Sequence, residues 1–103
     1  MLTVSYKKHD RRHELIVSGH CGYKPRGEDI YCAAASILLY TLVETLDRND
    51  LAQEPVVVLE SGDSYISVVA DKESADKING VFAVIINGFK ILERQGSEFI
   101  KMV

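Results

Sequence analysis

A histidine and a cysteine stand twelve positions apart in the stretch Ser18-Gly19-His20-Cys21-Gly22-Tyr23-Lys24-Pro25-Arg26-Gly27-Glu28-Asp29-Ile30-Tyr31-Cys32-Ala33-Ala34-Ala35-Ser36. Imidazole and thiol are the two halves of a nucleophilic pair, in which the sulfur attacks as a thiolate and the imidazole manages the proton. An ordinary thiol is only a few per cent ionised near neutrality, so the pair needs a setting that favours the anion, and the start of a helix is one. Asp29 is placed to cap such a helix. Cys32 would then occupy its third position, where backbone N–H groups lack intrahelical partners. The residue types alone leave other roles open. Free cysteine in Ala-rich surroundings also serves as a small buried hydrophobe, and a histidine at a strand end can be satisfied by backbone.

The elements that would hold this pair can be read from hydrophobic periodicity. Leu2, Val4 and Tyr6 alternate, as do Leu15 and Val17, and the polar stretch from Lys7 to Arg12 between them reads as a charged hairpin turn. Pro55 to Glu60 and Ser64 to Ala70 bracket Ser61-Gly62-Asp63, a turn sequence for a second hairpin. A last short strand is expected over Phe99 to Val103. A helix follows Asp29 and stops near Asn49; a second runs from about Ser74 to Gln95 with Gly96 as its C-cap. Asn87-Gly88 is a weak point in it, because a helix-interior glycine costs about 1 kcal/mol relative to alanine. The order is β-β-α-β-β-α-β: an α+β fold, one small layered domain over residues 1–103 with two largely buried helices on an antiparallel or mixed sheet. No charge falls between Ile30 and Val43, and a helix apolar all round is expected to be buried all round. A chain of 103 residues has little material for that, so a homodimer is expected.

Composition sets the outer limits. The chain is 47% hydrophobic and 26% charged with a net charge of -3, which is ordinary for a globular domain and poor for coating nucleic acid. The N-terminus alternates like a strand, so no signal peptide is expected, and neither charge-free stretch, Ile30 to Val43 or Ile78 to Phe89, reaches the roughly 18 apolar residues of a membrane span. A cytoplasmic protein without membrane association, its two cysteines as free thiols, is the expectation. His9, His13, His20, Cys21 and Cys32 have no metal-site spacing, with His9 and His13 expected to flank the hairpin turn, and Gly19, Gly22 and Gly27 form no phosphate-binding pattern. No metal or cofactor is implied. The alternative from another class is an RNA-binding or ribosome-assembly module using Lys7, Lys8, Arg11 and Arg12, a cluster that a solvated hairpin tip explains equally well.

The pattern Gly19-His20-x-Gly22-Tyr23-x-x-x-Gly27-x-Asp29-Ile30-x-Cys32-Ala33-Ala34-x-Ser36 closely resembles the signature of the ribosomal-processing cysteine protease (Prp) family. The likeness spans the chain in length and element order, with its specificity in residues 19 to 36. It implies a homodimeric cysteine endopeptidase that removes the short N-terminal extension of large-subunit ribosomal protein number twenty-seven, with Cys32 and His20 as the catalytic pair and no direct nucleic-acid binding. Asp29 would cap the helix, orient His20, or do both. Ser36, one turn beyond Cys32, would line the site or bond back to its own helix. Gly22, Tyr23 and Gly27 would belong to a loop that closes over substrate, with Tyr23 packing on the substrate's apolar side chains, and N–H groups of the first helical turn, including that of Cys32, would receive the oxyanion. Cys21 departs from the pattern, which generally has Ala there. It either points away from the site or stands close enough to Cys32 for oxidation to join the two sulfurs.

Overall fold

A computed structural model describes residues 1–25 and 29–103. Strands β1 (Leu2–His9) and β2 (Arg12–Gly19) are followed by helix α1 (Ile30–Arg48), strands β3 (Ala52–Glu60) and β4 (Asp63–Ala70), helix α2 (Ala75–Gln95) and strand β5 (Ile100–Met102). The sheet order is β3-β4-β2-β1-β5, antiparallel throughout except for the parallel pair β1 and β5. This is the α+β order expected from periodicity, with a mixed sheet.

The period-2 alternation decides which face carries the helices. Leu2 and Val4 of β1, Leu15 and Val17 of β2, and Ile66 and Val68 of β4 are buried, and they share one core with Ala35, Leu39, Leu42 and Leu46 of α1 and Ile78, Phe82, Ile85 and Phe89 of α2. Asn87-Gly88 does not break α2. A Cβ on Gly88 would fall 2.7 Å from Leu38 Cδ2, so the missing side chain is what lets α1 lie close against α2.

Several details differ from the sequence reading. The first hairpin turn is only Asp10-Arg11, so Lys7, Lys8 and Arg12 stand on paired strands, opposite Glu14, His13 and His9. β3 begins before Pro55, across a bulge between Gln53 and Val56 with Glu54 at φ 46°. A proline is tolerated there because β3 is an edge strand. α1 is 19 residues long and, by length and mean hydropathy (1.4), long and apolar enough to cross a membrane. It is not buried all round within one chain. One stripe enters the core, while Ile37 and Tyr40 are 62% and 55% exposed.

His13 is a second departure, since it is a core residue rather than a turn-flanking one. Its ring stacks on Phe82 with centroids 4.6 Å apart, its Nδ1 lies 2.7 Å from the Tyr6 hydroxyl, and its Nε2 is buried without a partner among the described residues. Burial, and then the nearby charge of Lys8, lowers its pKa. A depressed imidazole pKa means that the unfolded chain takes up a proton that the folded chain refuses. Stability therefore falls as pH drops below the ordinary imidazole value of about 6.5. Urea unfolding measured from pH 7.5 to 5 is expected to show this loss, and Tyr6→Phe/His13→Phe to show a shallower one; equal slopes would remove His13 from the account.

Candidate functional site

The site is assembled around one carboxylate. Asp29 has extended backbone (φ -84°, ψ 106°) as the N-cap of α1, and its Oδ1 accepts from the N–H groups of Tyr31 (2.9 Å) and Cys32 (3.1 Å). Its Oδ2 accepts from the N–H groups of Tyr23 (3.1 Å) and Lys24 (3.4 Å), so the residue that starts the helix also ties down the loop leading to it. Burial by itself would raise the pKa of this carboxyl, but the four N–H donors outweigh it and hold the group below the usual carboxylate range. Both oxygens are occupied, and among the described residues none of these bonds goes to His20. Asp29 is a cap and loop anchor by geometry. Replacing it should separate the two duties. Asp29→Ala is expected to cost about 1 to 2 kcal/mol, read as a Tm drop of about 4 to 8 °C per kcal/mol. Asp29→Asn, which keeps the oxygen facing the helix and loses the one facing the loop, should fall between. An unchanged Tm for Asp29→Ala would refute the double anchoring.

His20 leaves the sheet at the end of β2. Gly19 at φ 92° makes the exit, and its N–H donates to the Gly62 carbonyl at 3.0 Å. The imidazole then rests on the two-residue turn between β3 and β4. A Cβ built on Gly62, whose φ is 80°, would stand 2.8 Å from His20 Nε2 and 3.1 Å from Cε1. Sequence reasoning saw Ser61-Gly62 only as a turn, and nothing local could reveal that its bare backbone is the seat of the histidine.

His20, Cys32 and Ser36 line the same groove, about 790 Å³ in volume, together with Gly22, Lys24, Asp29 and Ser61. They also share a smaller depression of about 110 Å³ floored by Leu2, Val17, Ala35 and Leu39. Cys32 is half-buried and His20 exposed. Among the described residues no hydrogen bond joins the two side chains, so the structure shares a cavity between them without closing the pair.

Two expectations are corrected by the contacts, and the alternative left open for Cys21 is decided. Tyr23 does not reach over the groove: its ring meets Tyr31 and Phe99 edge-on, each at 5.0 Å between centroids, so it pins the loop to α1 and to the residue before β5. The Cys32 N–H is taken by Asp29 Oδ1, and Ala33 N–H by the Asp29 carbonyl at 3.1 Å, so with Tyr31 N–H also bound, the first turn does not offer these donors to an oxyanion. Cys21 does not point away. It is buried (2% exposed), and its sulfur, the Cys32 sulfur and an Asp29 oxygen all lie within 4.8 Å of one another. Burial, then Cys32 and Asp29, pushes the Cys21 thiol up to about 12. The four N–H bonds on Asp29 leave its oxygens poorly disposed to complete a metal site with these sulfurs. Gly27, expected in the substrate loop, lies outside the described residues together with Arg26 and Glu28.

Comparisons with known proteins bear on the family and the fold. The ribosomal processing cysteine protease Prp of Mycoplasma pneumoniae is 29% identical over 99 residues, covering 96% of this chain and 88% of the relative. Two crystal structures of Prp from S. aureus share the fold. One, in complex with a covalently linked product peptide, has a TM-score of 0.81 at 20% identity over 99% of this chain and 97% of that one. The other, in complex with a substrate peptide, has a TM-score of 0.76 at 19% identity over 100% and 98%. A Streptococcus mutans protein gives 0.75 at 22% identity over 99% and 91%. The family model for cysteine protease Prp matches residues 1–101, from β1 through both helices and into β5, and on that match the chain belongs to the Prp family of cysteine proteases.

Proposed function

We propose that this chain is the ribosomal-processing endopeptidase of its cell, removing the N-terminal extension of large-subunit ribosomal protein number twenty-seven with Cys32 as nucleophile and His20 as general acid/base. The observation that carries the reading is the placement of Cys32 in the capped first turn of α1, in one groove with His20. Cys32 Sγ attacks the scissile carbonyl of an extended peptide, His20 gives a proton to the leaving amine, and water then hydrolyses the thioester with His20 as base. Ser36, on the same face of α1 as Cys32, borders the bound peptide. That a relative is named for ribosomal processing, and that another was crystallised with substrate and product peptides, supports the substrate class.

The test is incubation of the purified protein with a peptide spanning the extension junction, read by mass spectrometry. A single cut at the junction is expected, and none by the wild type under reducing conditions would overturn the reading. The basic end of the β1–β2 hairpin is the seat of the alternative, nucleic-acid-binding role. It lies at the far end of an eight-residue strand, roughly 25 Å from His20, so binding there would survive Cys32→Ala.

His20 is held by Gly62, so that turn carries a prediction of its own. Gly62→Asn tolerates positive φ better than other side chains do, yet brings a Cβ into the imidazole. Displacing the ring by about 1 Å is expected to lower kcat roughly a hundredfold with Tm little changed. Wild-type kcat in a folded Gly62→Asn protein would show that His20 does not depend on this seat.

We infer further that the protein works as a homodimer in the cytoplasm. Val56, Val57 and Val58 on the edge strand β3 are exposed, Val56 by 50%, and Ile37 and Tyr40 leave an apolar strip on α1. Patches of this kind on so small a chain favour self-association. Light scattering should give twice the 11.5 kDa chain mass, and a mass independent of concentration at the monomer value would overturn the dimer.

A further inference from the structure

Two thiols meet at the groove, and only one has a part in peptide cleavage. Cys21 is buried, and its sulfur lies within 4.8 Å of the Cys32 sulfur. We propose that Cys21 and Cys32 form a hydroperoxide-reactive dithiol, in which oxidation of Cys32 is captured by Cys21 as an intramolecular disulfide.

The order of events follows from exposure. Cys32 lines the open groove and meets the oxidant, whereas Cys21 lies beneath it with a thiol that burial keeps protonated. The Cys32 sulfur attacks the outer oxygen of a hydroperoxide. The O–O bond breaks, the departing oxygen leaves with the Cys32 proton as an alcohol or as water, and Cys32 is left as a sulfenic acid. The Cys21 sulfur then attacks the Cys32 sulfur. The S–O bond breaks, and the hydroxyl leaves as water with the Cys21 proton. Two thiols have given two electrons to one hydroperoxide, and no further reductant or oxidant is needed.

The geometry asks for a small movement. A disulfide closes at about 2.05 Å between sulfurs, so the pair must approach by up to about 3 Å. Cys32 is fixed in α1, but Cys21 lies beyond the last ladder pairing of β2 and beside Gly22 at φ 75°, in backbone outside helix and strand. The movement falls to Cys21. Capture holds the sulfur at a state that thiols can reverse, where an unpartnered sulfenic acid proceeds to sulfinic and sulfonic acids. That proteolysis stops in the oxidised form rests on the proposed role of Cys32; the disulfide itself does not.

The experiment treats the reduced, full-length protein with hydrogen peroxide in several-fold molar excess over protein, blocks residual thiols, and maps cysteines by mass spectrometry after trypsin. Cleavage after Arg26 separates the two cysteines, so a link between the peptides containing them reports the bond. Expected is an intact mass lower by two hydrogens, the linked pair, and full return of both thiols and of peptide cleavage with dithiothreitol. In Cys21→Ala the same dose should carry Cys32 to sulfinic or sulfonic acid, with thiol and cleavage both lost for good. Wild type overoxidised at Cys32 without the linked pair, or Cys21→Ala recovering as fully as wild type, would overturn the proposal. A mapped Cys21–Cys32 bond that leaves cleavage untouched would uphold the dithiol and remove Cys32 from the proteolytic mechanism.

Discussion

Cys32→Ser will fold, bind the junction peptide and leave it uncut. The substitution exchanges one atom at a half-buried position in the first turn of α1, and the Asp29 bond to the backbone N–H of residue 32 does not involve the side chain. Tm and peptide affinity are therefore expected to hold. What is lost is the sulfur nucleophile. A serine hydroxyl is a far weaker acid and nucleophile than a thiol, and among the described residues no base is hydrogen-bonded to the side chain at position 32. Removal of the nucleophile from a nucleophile–base unit costs roughly a millionfold in kcat, about as much as removing the whole unit. Single-turnover mass spectrometry at saturating peptide measures it. Retained cleavage in Cys32→Ser would mean that another group attacks.

His20→Ala is the second large effect, and a different one. The imidazole stands at a strand end on the Gly62 turn and contributes nothing to the core, so its loss should leave folding intact. General acid–base transfer by a positioned side chain is worth roughly a hundredfold to ten-thousandfold, and kcat should fall by that amount with KM nearly unchanged. The truncation also opens space between Gly62 and the groove. Added imidazole can occupy that space, so partial recovery with millimolar imidazole distinguishes a missing proton carrier from a distorted site. A His20→Ala enzyme that cuts at the wild-type rate would remove the histidine from the mechanism.

The parts of this molecule legible in the sequence are those fixed within a few residues or by simple period. Asp29 as cap, Cys32 in the first turn, the Ser61-Gly62 turn and the alternating strands follow from local rules, and the structure places them so. What was not legible depends on chain segments that meet only in three dimensions. Tyr23 looked like a loop residue free to touch substrate because its partner Phe99 lies 76 positions further on. His13 looked like a turn residue because stacking on Phe82 of α2 leaves no trace near position 13. The burial of Cys21 against Cys32 goes with the bonds from the Tyr23 and Lys24 N–H groups to Asp29, whose second oxygen gave no sign of a second duty. The N–H groups at the helix start were expected to be available, and it is the cap itself that consumes them.

His20 and Cys32 come from different layers, the imidazole just past the end of β2 and the sulfur in α1, and Leu2, Val17, Ala35 and Leu39 form the floor of the depression they share. How α1 seats on the sheet over these four side chains therefore sets the separation of imidazole and sulfur. A trimmed or swollen side chain in that floor is expected to change the reach between the two groups without altering either of them.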